Sequence, residues 1–232
     1  MALRQIIDSI IAPIVGGISS DDTKLRPRLI YELMLPVRSS LLTNKLNKKQ
    51  KLSEWTYQLL PCVDIEQVDA SVCPCAPPSG CIVGRSKTKI PQPLTGLSFQ
   101  ALEVYTLDLS SKFQYTSQRG LSLSKGNKYA KKDSVKYMVV NNYLYFYGPY
   151  IPKAVAVKII LNNPIEALPF LDNYDSLGGN SCVSPLDMDF PLDPDLVRVM
   201  TDLVSEKLKI GYNQAYNDNQ HSQQQRHDRD TQ

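Results

Sequence analysis

The stretch VKYMVVNNYLYFYGPYI, residues 135–151, carries the clearest strand signal in the chain. Two runs rich in β-branched and aromatic residues flank Asn141 and Asn142, and asparagine tolerates the positive φ that a tight hairpin turn requires. The second run places tyrosines on one face and apolar residues on the other, namely Tyr143, Tyr145 and Tyr147 against Leu144 and Phe146. Because neither face is wholly polar, the sequence predicts a hairpin whose two faces both pack on protein.

Shorter strand-like runs of the same kind extend from about Trp55 to Ile165, separated by proline, glycine, asparagine and serine. The chain has 16 prolines against 11 glycines. This balance favours rigid loops and edge strands, because proline fixes its own φ and removes a ladder donor. We therefore expect residues 53–180 to form a mainly antiparallel β module.

Both ends of the chain carry helical patterns instead. Near the start, apolar residues recur at helical spacing as one stripe, at Leu3, Ile6, Ile7, Ile10, Ile11 and Ile14. The polar face of this stripe lacks a lysine row, so a helix packed on protein is favoured over a membrane-surface helix. A second helical pattern runs from Leu25 to Leu42, and Pro36 within it predicts a kink or a break. Further on, Asp193 fits a helix N-cap, with Pro194 at the first helical position.

These patterns predict an α+β fold in four parts. Residues 1–52 supply the N-terminal helices of a helical bundle, residues 53–180 form the inserted β module, and residues 181–210 hold a C-terminal helix that returns to the bundle. Residues 211–232 are rich in glutamine, asparagine and charge, with almost nothing to bury. We expect them to form a polar tail that is disordered unless a partner binds it.

The charge pattern leaves two interpretations of the second helix open. The formal net charge is only +3, so the chain as a whole is not a polycation built to coat nucleic acid. Residues 24–51 nevertheless hold eight basic side chains against one acid, Glu32. They predict either a solvated helix end or a surface for DNA or an acidic partner. The candidate contacts are Arg38, Lys45, Lys48, Lys49 and Lys51.

Motifs for catalysis and nucleotide binding do not occur in the sequence. His221 and His227 are the two histidines and both lie in the polar tail, so the predicted folded body has no imidazole for a Ser-His or Cys-His arrangement. GRSKTK, residues 84–89, has neither the glycine spacing nor the following Ser or Thr of a phosphate loop. We therefore predict no enzyme activity and no cofactor.

Two clusters suggest metal ligands without matching a metal-binding pattern. Four cysteines lie close together in the sequence, Cys62, Cys73, Cys75 and Cys81, but their spacing is not the C-x2-C knuckle of zinc sites. Free thiols are favoured over a zinc site. An acidic run, Asp187, Asp189, Asp193 and Asp195, could suggest a hard cation, yet helix capping already explains Asp193 and Asp195.

Four segments carry a resemblance to a known family. They are RSKTKIPQPLTG (85–96), EVYTLD (103–108), YLYFYGPYIPKAVAVKIILNNP (143–164) and PLDMDFPLDPDLVRVMTDLVSEKL (185–208). Together they resemble the ring or head-to-tail connector proteins of crAss-like tailed bacteriophages. Those proteins are similar in plan to short-tailed phage adaptors, which form closed, usually twelve-fold, rings below the portal through which the genome passes.

The resemblance implies a virion structural protein without catalytic activity. It implies a homo-oligomer of twelve copies in the portal-tail region, present in the host cytoplasm during assembly. The implied partners are the portal protein or neighbouring ring proteins, with genomic DNA passing through the lumen without sequence-specific recognition and with no membrane. The alternative is a soluble nucleic-acid-binding module that uses the basic residues 24–51.

The resemblance also suggests which residues meet a neighbouring subunit or ring. We expect Arg85, Lys87 and Lys89, on an extended segment stiffened by Pro91 and Pro93, to form such a contact. Tyrosines of the hairpin and the tail complete the predicted interface, namely Tyr143, Tyr145, Tyr147, Tyr212 and Tyr216. By analogy with adaptors, the last helix and the tail are expected to dock on the portal or the next ring.

Overall fold

The computed structural model describes residues 1–15, 26–69, 82–94, 102–126, 134–171 and 184–209. The chain divides into two compact units. One unit combines Met1–Leu52 with Val183–Gln232, and its described regular structure is helical. The other unit, Ser53–Cys182, carries a sheet. The predicted α+β class is therefore confirmed, while the predicted tail, 211–232, lies outside the described residues.

The helical unit begins with helix α1, Leu3–Val15. Its predicted apolar stripe is confirmed, since the side chains of Leu3, Ile6, Ile7, Ile10 and Ile11 are buried and Ile14 is half-buried. Helix α5, residues 194–209, buries Val197, Met200 and Val204 at the same helical spacing. Amphipathic burial of this kind supplies most of the stability of a short helix.

Helix α2, Pro27–Asn47, runs through Pro36 without interruption, so of the predicted kink or break the break does not occur. One proline costs about 3 kcal/mol in a helix interior because it removes one hydrogen bond and crowds the preceding turn. The buried stripe of α2 continues on both sides of that proline, at Ile30, Tyr31, Met34, Val37, Arg38 and Leu42. Burial of this stripe outweighs the local cost.

The acidic run is tied to the first residues of the chain and to α2. The amide of Leu3 donates to the carbonyl of Met188 at 2.9 Å, and Arg4 pairs with Asp187 at 3.1 Å. Asp193 directly precedes α5, as predicted, but its carboxylate is buried and pairs with Lys45.

Among the described residues, no group of three or more histidines, cysteines and acids is placed to hold a metal ion. Cys62 is a free, exposed thiol, and the other cysteines lie outside the described residues.

The described part of the second unit contains one seven-stranded sheet with the order β3-β7-β1-β2-β6-β5-β4. Its strands are β1 (Gln58–Asp69), β2 (Ile82–Ser86), β3 (Leu102–Tyr105), β4 (Gln114–Tyr115), β5 (Lys136–Val140), β6 (Tyr143–Tyr147) and β7 (Ala154–Ile159). All neighbouring strands in it pair antiparallel except β4 and β5, which are parallel. A short helix, α3 (Gln118–Gly126), follows β4, and a single helical turn, α4 (Leu168–Leu171), lies beyond β7.

The predicted hairpin is confirmed in β5 and β6. Val140 pairs with Tyr143, and the turn residues Asn141 and Asn142 have φ values of 52° and 64°. Leu144 and Phe146 face the main core of the sheet, whereas Tyr145 and Tyr147 pack in a second cluster. That second cluster also contains Val83, Met138 and Leu121 of α3. Both faces of the hairpin therefore meet protein, as the alternation of residues predicts.

The sheet curls until it is nearly a closed barrel. The chain leaving β3 turns back so that Phe113 donates its amide to the carbonyl of Val104 at 2.8 Å, and Tyr105 bridges Lys112 just before β4 begins. The hydroxyl of Tyr137 on β5 also donates to the carbonyl of Leu102 on β3, at 3.2 Å. The two edges of the sheet thus approach each other around the main apolar core.

Candidate functional site

Arg85 lies at the centre of a group of charged residues around one half-buried tyrosine, Tyr143. It stands on β2 opposite Glu66 of β1 and Tyr145 of β6, so all three side chains share one face of the sheet. The Arg85 guanidinium donates to Oε1 of Glu66 from Nη2 at 2.6 Å and from Nε at 3.1 Å. Its central carbon also lies 5.2 Å from the ring centroid of Tyr143.

Two lysines extend this group beyond the end of β2. Lys87 donates its amide to the carbonyl of Asp64 at 2.9 Å, and its Nζ pairs with Oδ2 of Asp64 at 3.1 Å. Lys89 places its Nζ 5.8 Å from the ring centroid of Tyr143, which therefore has two cations within cation–π range. We call the set Arg85, Lys87, Lys89, Tyr143, Asp64 and Glu66 the cation–tyrosine cluster.

Backbone hydrogen bonds hold the segment after Lys89 against the sheet. The amide of Ile90 donates to the carbonyl of Asn142 at 2.8 Å, and the amide of Leu94 donates to the carbonyl of Ile160 at 2.8 Å. Pro91 and Pro93 are half-buried and alternate with the residues that make these bonds. The predicted extended and stiffened segment is thus present from residue 89 to residue 94.

Several predicted contact residues are not available on the surface. Tyr145 and Tyr147 are buried in the cluster with Met138, so their side chains already have partners within the unit. Arg38 is fully buried in the helical unit, which removes it from the candidate DNA contacts. Lys45 is used in the pair with Asp193. Tyr212 and Tyr216 lie outside the described residues.

The buried Arg38 has a structural role in the helical unit. Its Nε donates to the carbonyl of Pro191 at 3.1 Å, and its guanidinium lies 5.8 Å from the ring centroid of Phe190. Burial lowers the pKa of Arg38 from 12.5 to about 10. The spacing of Met34, Arg38 and Leu42 along one helix stripe is the sequence signal that would have placed this arginine inside.

The remaining basic candidates, Lys48, Lys49 and Lys51, are exposed where α2 ends. Lys49 has a φ of 56°, and the amide of Gln50 donates to the carbonyl of Lys45 at 3.1 Å. This is the Schellman pattern, in which a left-handed residue closes the last turn of a helix. Lysines at this end also interact favourably with the helix dipole, so local structure explains them without DNA.

Sequence reasoning missed a cleft on the outer face of the sheet. Its volume is about 370 Å³, and its lining residues are Glu54, Tyr57, Gln58, Leu59, Tyr105, Leu109 and Lys158. Strand register brings the lining together, because Leu59 of β1 pairs with Lys158 of β7, which in turn pairs with Glu103 of β3. Lys158 pairs with Glu54 and lies 4.6 Å from the ring centroid of Tyr57. We call this feature the outer cleft.

Ionisable groups in and beside the outer cleft influence one another. The hydroxyl of Tyr105 donates to Oε2 of Glu103 at 2.8 Å, and this bond, with burial, raises the pKa of Tyr105 to about 12. Burial opposes ionisation of Glu103, but hydrogen bonds from Lys112 and Tyr105 hold its pKa below the ordinary value. Burial and then the charge of Glu103 raise the pKa of Tyr57. The phenols of the cleft therefore stay protonated in the folded protein at neutral pH.

Alkaline pH should weaken the sheet unit through Tyr105. An unfolded tyrosine loses its proton near pH 10, whereas folded Tyr105 keeps its proton up to about pH 12. The stabilising bond to Glu103 is therefore fully present below pH 10 and is lost as the pH rises toward 12. We expect the urea midpoint of unfolding to fall over this range, and to fall less for Tyr105→Phe, which has no proton to lose.

The control for this experiment is Tyr150→Phe, at an exposed tyrosine. Its profile should match that of the wild type between pH 8 and pH 12. Equal alkaline losses in Tyr105→Phe and the wild type would contradict the role given to the Tyr105 hydroxyl.

Comparison with known proteins identifies a family over almost the whole chain. The model of the family described as phage tail ring protein 2 matches residues 5–229. No curated protein matches the chain. None of the helices in the described ranges is both long enough and apolar enough to cross a membrane.

Proposed function

This chain belongs to the crAss-like family of phage tail ring protein 2, and on that premise we propose that its ring lies in the head-to-tail connector. Members of this family are structural proteins of the virion, and a ring requires several copies and neighbouring phage proteins. We propose a ring of twelve copies that docks on the portal or an adjacent ring and lines the genome passage. The family match over residues 5–229 is the observation that carries this proposal.

The two units suggest that each has a different role in this ring. We propose that α1, α2 and α5 form a bundle that gives each subunit a rigid body, with the last helix and the tail docking on the portal or the next ring. The sheet unit would then provide contacts between copies through the exposed part of its outer face. The cation–tyrosine cluster fits such a contact, because arginine and tyrosine are enriched in protein interfaces.

The charges of the cation–tyrosine cluster favour a protein partner over DNA. Arg85 and Lys87 already pair with Glu66 and Asp64, which leaves the cluster a net charge of about one positive unit. DNA affinity depends on neutralising several phosphates, so a surface with this small excess would bind DNA weakly. An aromatic ring flanked by two cations instead offers a shaped and partly apolar contact.

The alternative of a nucleic-acid-binding module loses support in the helical unit. Of its five candidate contacts, Arg38 is buried and Lys45 pairs with Asp193. The three that remain are Lys48, Lys49 and Lys51, and their presence is explained by the closing turn of α2 and the helix dipole. Three exposed lysines at one helix terminus are ordinary for a soluble protein.

Native mass spectrometry of the purified chain tests the ring directly. Twelve copies of a 26.1 kDa chain give a particle of about 310 kDa. A closed ring should show one dominant mass that does not grow with protein concentration, because closure uses every heterologous contact. A chain that stays monomeric over a thousandfold range of concentration, alone and with the portal protein of its virion, would contradict the proposal.

Reversing two charges in the cation–tyrosine cluster should impair assembly. We expect Lys87→Glu with Lys89→Glu to raise the concentration needed for half-assembly at least about tenfold, because like charges then replace a favourable contact. The matched control is Lys48→Glu with Lys49→Glu, which makes the same charge change in the helical unit. If the control rather than the cluster variant impairs assembly, the contact does not lie at the cluster.

The same pair of variants separates the proposed function from its alternative. A nucleic-acid-binding module predicts that the Lys48 and Lys49 variant loses salt-dependent affinity for DNA, while the cluster variant keeps it. The ring proposal predicts little DNA affinity in the isolated wild-type chain at physiological salt. Fluorescence anisotropy with a short duplex at several salt concentrations measures this difference.

A further inference from the structure

Large apolar side chains in the lining of the outer cleft, or close in sequence to its lining residues, remain in solvent. Trp55 is 77% exposed, Leu107 54%, Leu109 48% and Leu59 40%. Leu59 and Leu109 line the cleft, and Trp55 lies in the turn Glu54–Thr56, next to the lining residues Glu54 and Tyr57. A soluble protein rarely leaves several large apolar groups exposed around one cleft unless a partner covers them.

The loop 106–111, which carries Leu107 and Leu109, is held by its own hydrogen bonds. The amide of Thr106 donates to the carbonyl of Ser111 at 3.0 Å, and Oδ1 of Asp108 accepts from the amide of Ser110 at 3.2 Å. Bonds from Thr106 and Ser110 lower the pKa of Asp108 to about 2, so this acceptor stays ionised. The loop is therefore preorganised, which reduces the entropy lost when a partner covers it.

Leu109 adopts a conformation that leucine rarely accepts. Its φ is 58°, in the left-handed region that favours glycine and asparagine. Keeping a leucine there costs about 1 kcal/mol or more relative to asparagine, and folding of the isolated chain gains little from a side chain that stays half in solvent. A role in binding would explain why an exposed leucine is kept at this position despite its cost.

We propose that the outer cleft of one copy receives the cation–tyrosine cluster of the next copy around the ring. This inference rests on the proposed function, because a closed ring needs contacts between copies. It assigns the second half of that contact to Trp55, Leu59, Leu107 and Leu109 around the cleft. Tyr143 would pack against these apolar groups, with Lys87 and Lys89 facing the acids beside the cleft.

The charges of the two surfaces are complementary. The cleft side carries three carboxylates, on Glu54, Glu103 and Asp108, and two ammonium groups, on Lys112 and Lys158. The cluster carries three cations and two carboxylates. The exposed Glu54 and Asp108 can meet Lys87 and Lys89 of a neighbour without being deeply buried, which keeps the desolvation penalty small.

The two surfaces lie at separate places on each copy, as a head-to-tail contact requires. Both lie on the outer face of the sheet, with the cleft at the start of β1 around Leu59 and the cluster near its end around Glu66. Seven residues of strand separate them by roughly 20 Å. A head-to-tail contact uses two different surfaces of each copy, and such contacts close into rings when the rotation permits.

Two complementary variants test the inference. The cleft variant carries Trp55→Ser and Leu109→Asn, two exposed positions where asparagine also suits the left-handed backbone of residue 109. The cluster variant carries Lys87→Glu and Lys89→Glu. At a protein concentration where the wild type has just completed assembly, each variant alone should run as a monomer by native mass spectrometry, with the circular dichroism of the wild type.

Mixing the two variants gives the decisive result. The intact cluster of one and the intact cleft of the other can form a single contact, so a one-to-one mixture should give a heterodimer and nothing larger. Rings formed by either variant alone at that concentration, or a mixture that stays monomeric, would overturn the inference. Rings formed by the wild type would still support the proposed function. A wild type that never assembles would instead overturn the proposed function.

A cross-linking measurement tests the inference without depending on loss of assembly. With p-benzoylphenylalanine placed at position 55, illumination of the assembled ring should join this position to residues 85–94 or 143 of another copy. Mixing isotopically light and heavy chains before assembly shows whether each cross-link joins two copies. Cross-links confined to other segments would contradict the assignment of the outer cleft.

Discussion

Replacing Arg38 with alanine is expected to lower the free energy of unfolding of the helical unit by about 3–5 kcal/mol. This loss should exceed that of any substitution at an exposed position of the same unit. Arg38 is fully buried, its Nε donates to the carbonyl of Pro191, and its guanidinium packs over Phe190. Alanine would leave a cavity the size of the lost side chain and a buried carbonyl without its donor. Both effects act where α2 meets the segment before α5.

Two further variants identify the cause of this loss. Arg38→Met keeps most of the volume and removes the hydrogen bond, so it should cost about 1–3 kcal/mol. Arg28→Ala removes an exposed pair with Glu32, at 3.2 Å, and should cost less than about 0.5 kcal/mol. Urea unfolding followed by circular dichroism measures the three differences. A loss below about 1 kcal/mol for Arg38→Ala would contradict a structural role for the arginine.

Replacing Gly84 with alanine is expected to destabilise the sheet unit by about 3 kcal/mol. A Cβ at position 84 would lie 2.6 Å from Cγ2 of Ile151, 3.2 Å from Cγ2 of Ile65 and 3.3 Å from Cβ of Phe146. These atoms belong to β-branched and aromatic side chains next to the backbone, which cannot swing away without moving the strands. Glycine is needed here for close packing.

A second substitution should relieve part of this clash. Ile151→Ala removes the nearest atom, so the double variant should be less destabilised than the sum of the two single variants by about 1–2 kcal/mol. Thermal unfolding of the four proteins gives the coupling energy of this cycle. Additive losses would show that the cost of Gly84→Ala does not arise from contact with Ile151.

The elements that the sequence predicted well are those specified by neighbouring residues. Asn141 and Asn142 adopt the positive φ values that a tight turn requires, and the alternation in β6 sends Leu144 and Phe146 to one cluster and Tyr145 to the other. The stripe of α1 follows from helical spacing, and the start of α5 follows from the preference of proline, here Pro194, for the first helical position. Local geometry fixes these features before any distant contact forms.

The predictions that failed depended on packing against distant residues. Pro36 is a helix breaker by local rules, but the buried stripe of α2 continues across it. Tyr147 looked available for an interface because tyrosine tolerates water, yet it packs beside Leu121 of α3. Arg38 looked like part of a basic surface because its charge was counted without its position on the helix. In each case the free energy of burial decided against the local preference.

The sequence by itself determined the α+β class, the hairpin and the extended basic segment, because each depends on residues close together along the chain. Only the tertiary structure decided where the charged and apolar groups meet. The outer cleft exists because the order β1, β7, β3 brings Leu59, Lys158 and Glu103 side by side, although the first two are 99 positions apart in the sequence. Strand order is set by the total free energy of burying many apolar side chains across the sheet. That total depends on residues far apart in the chain, so no short stretch of sequence determines it.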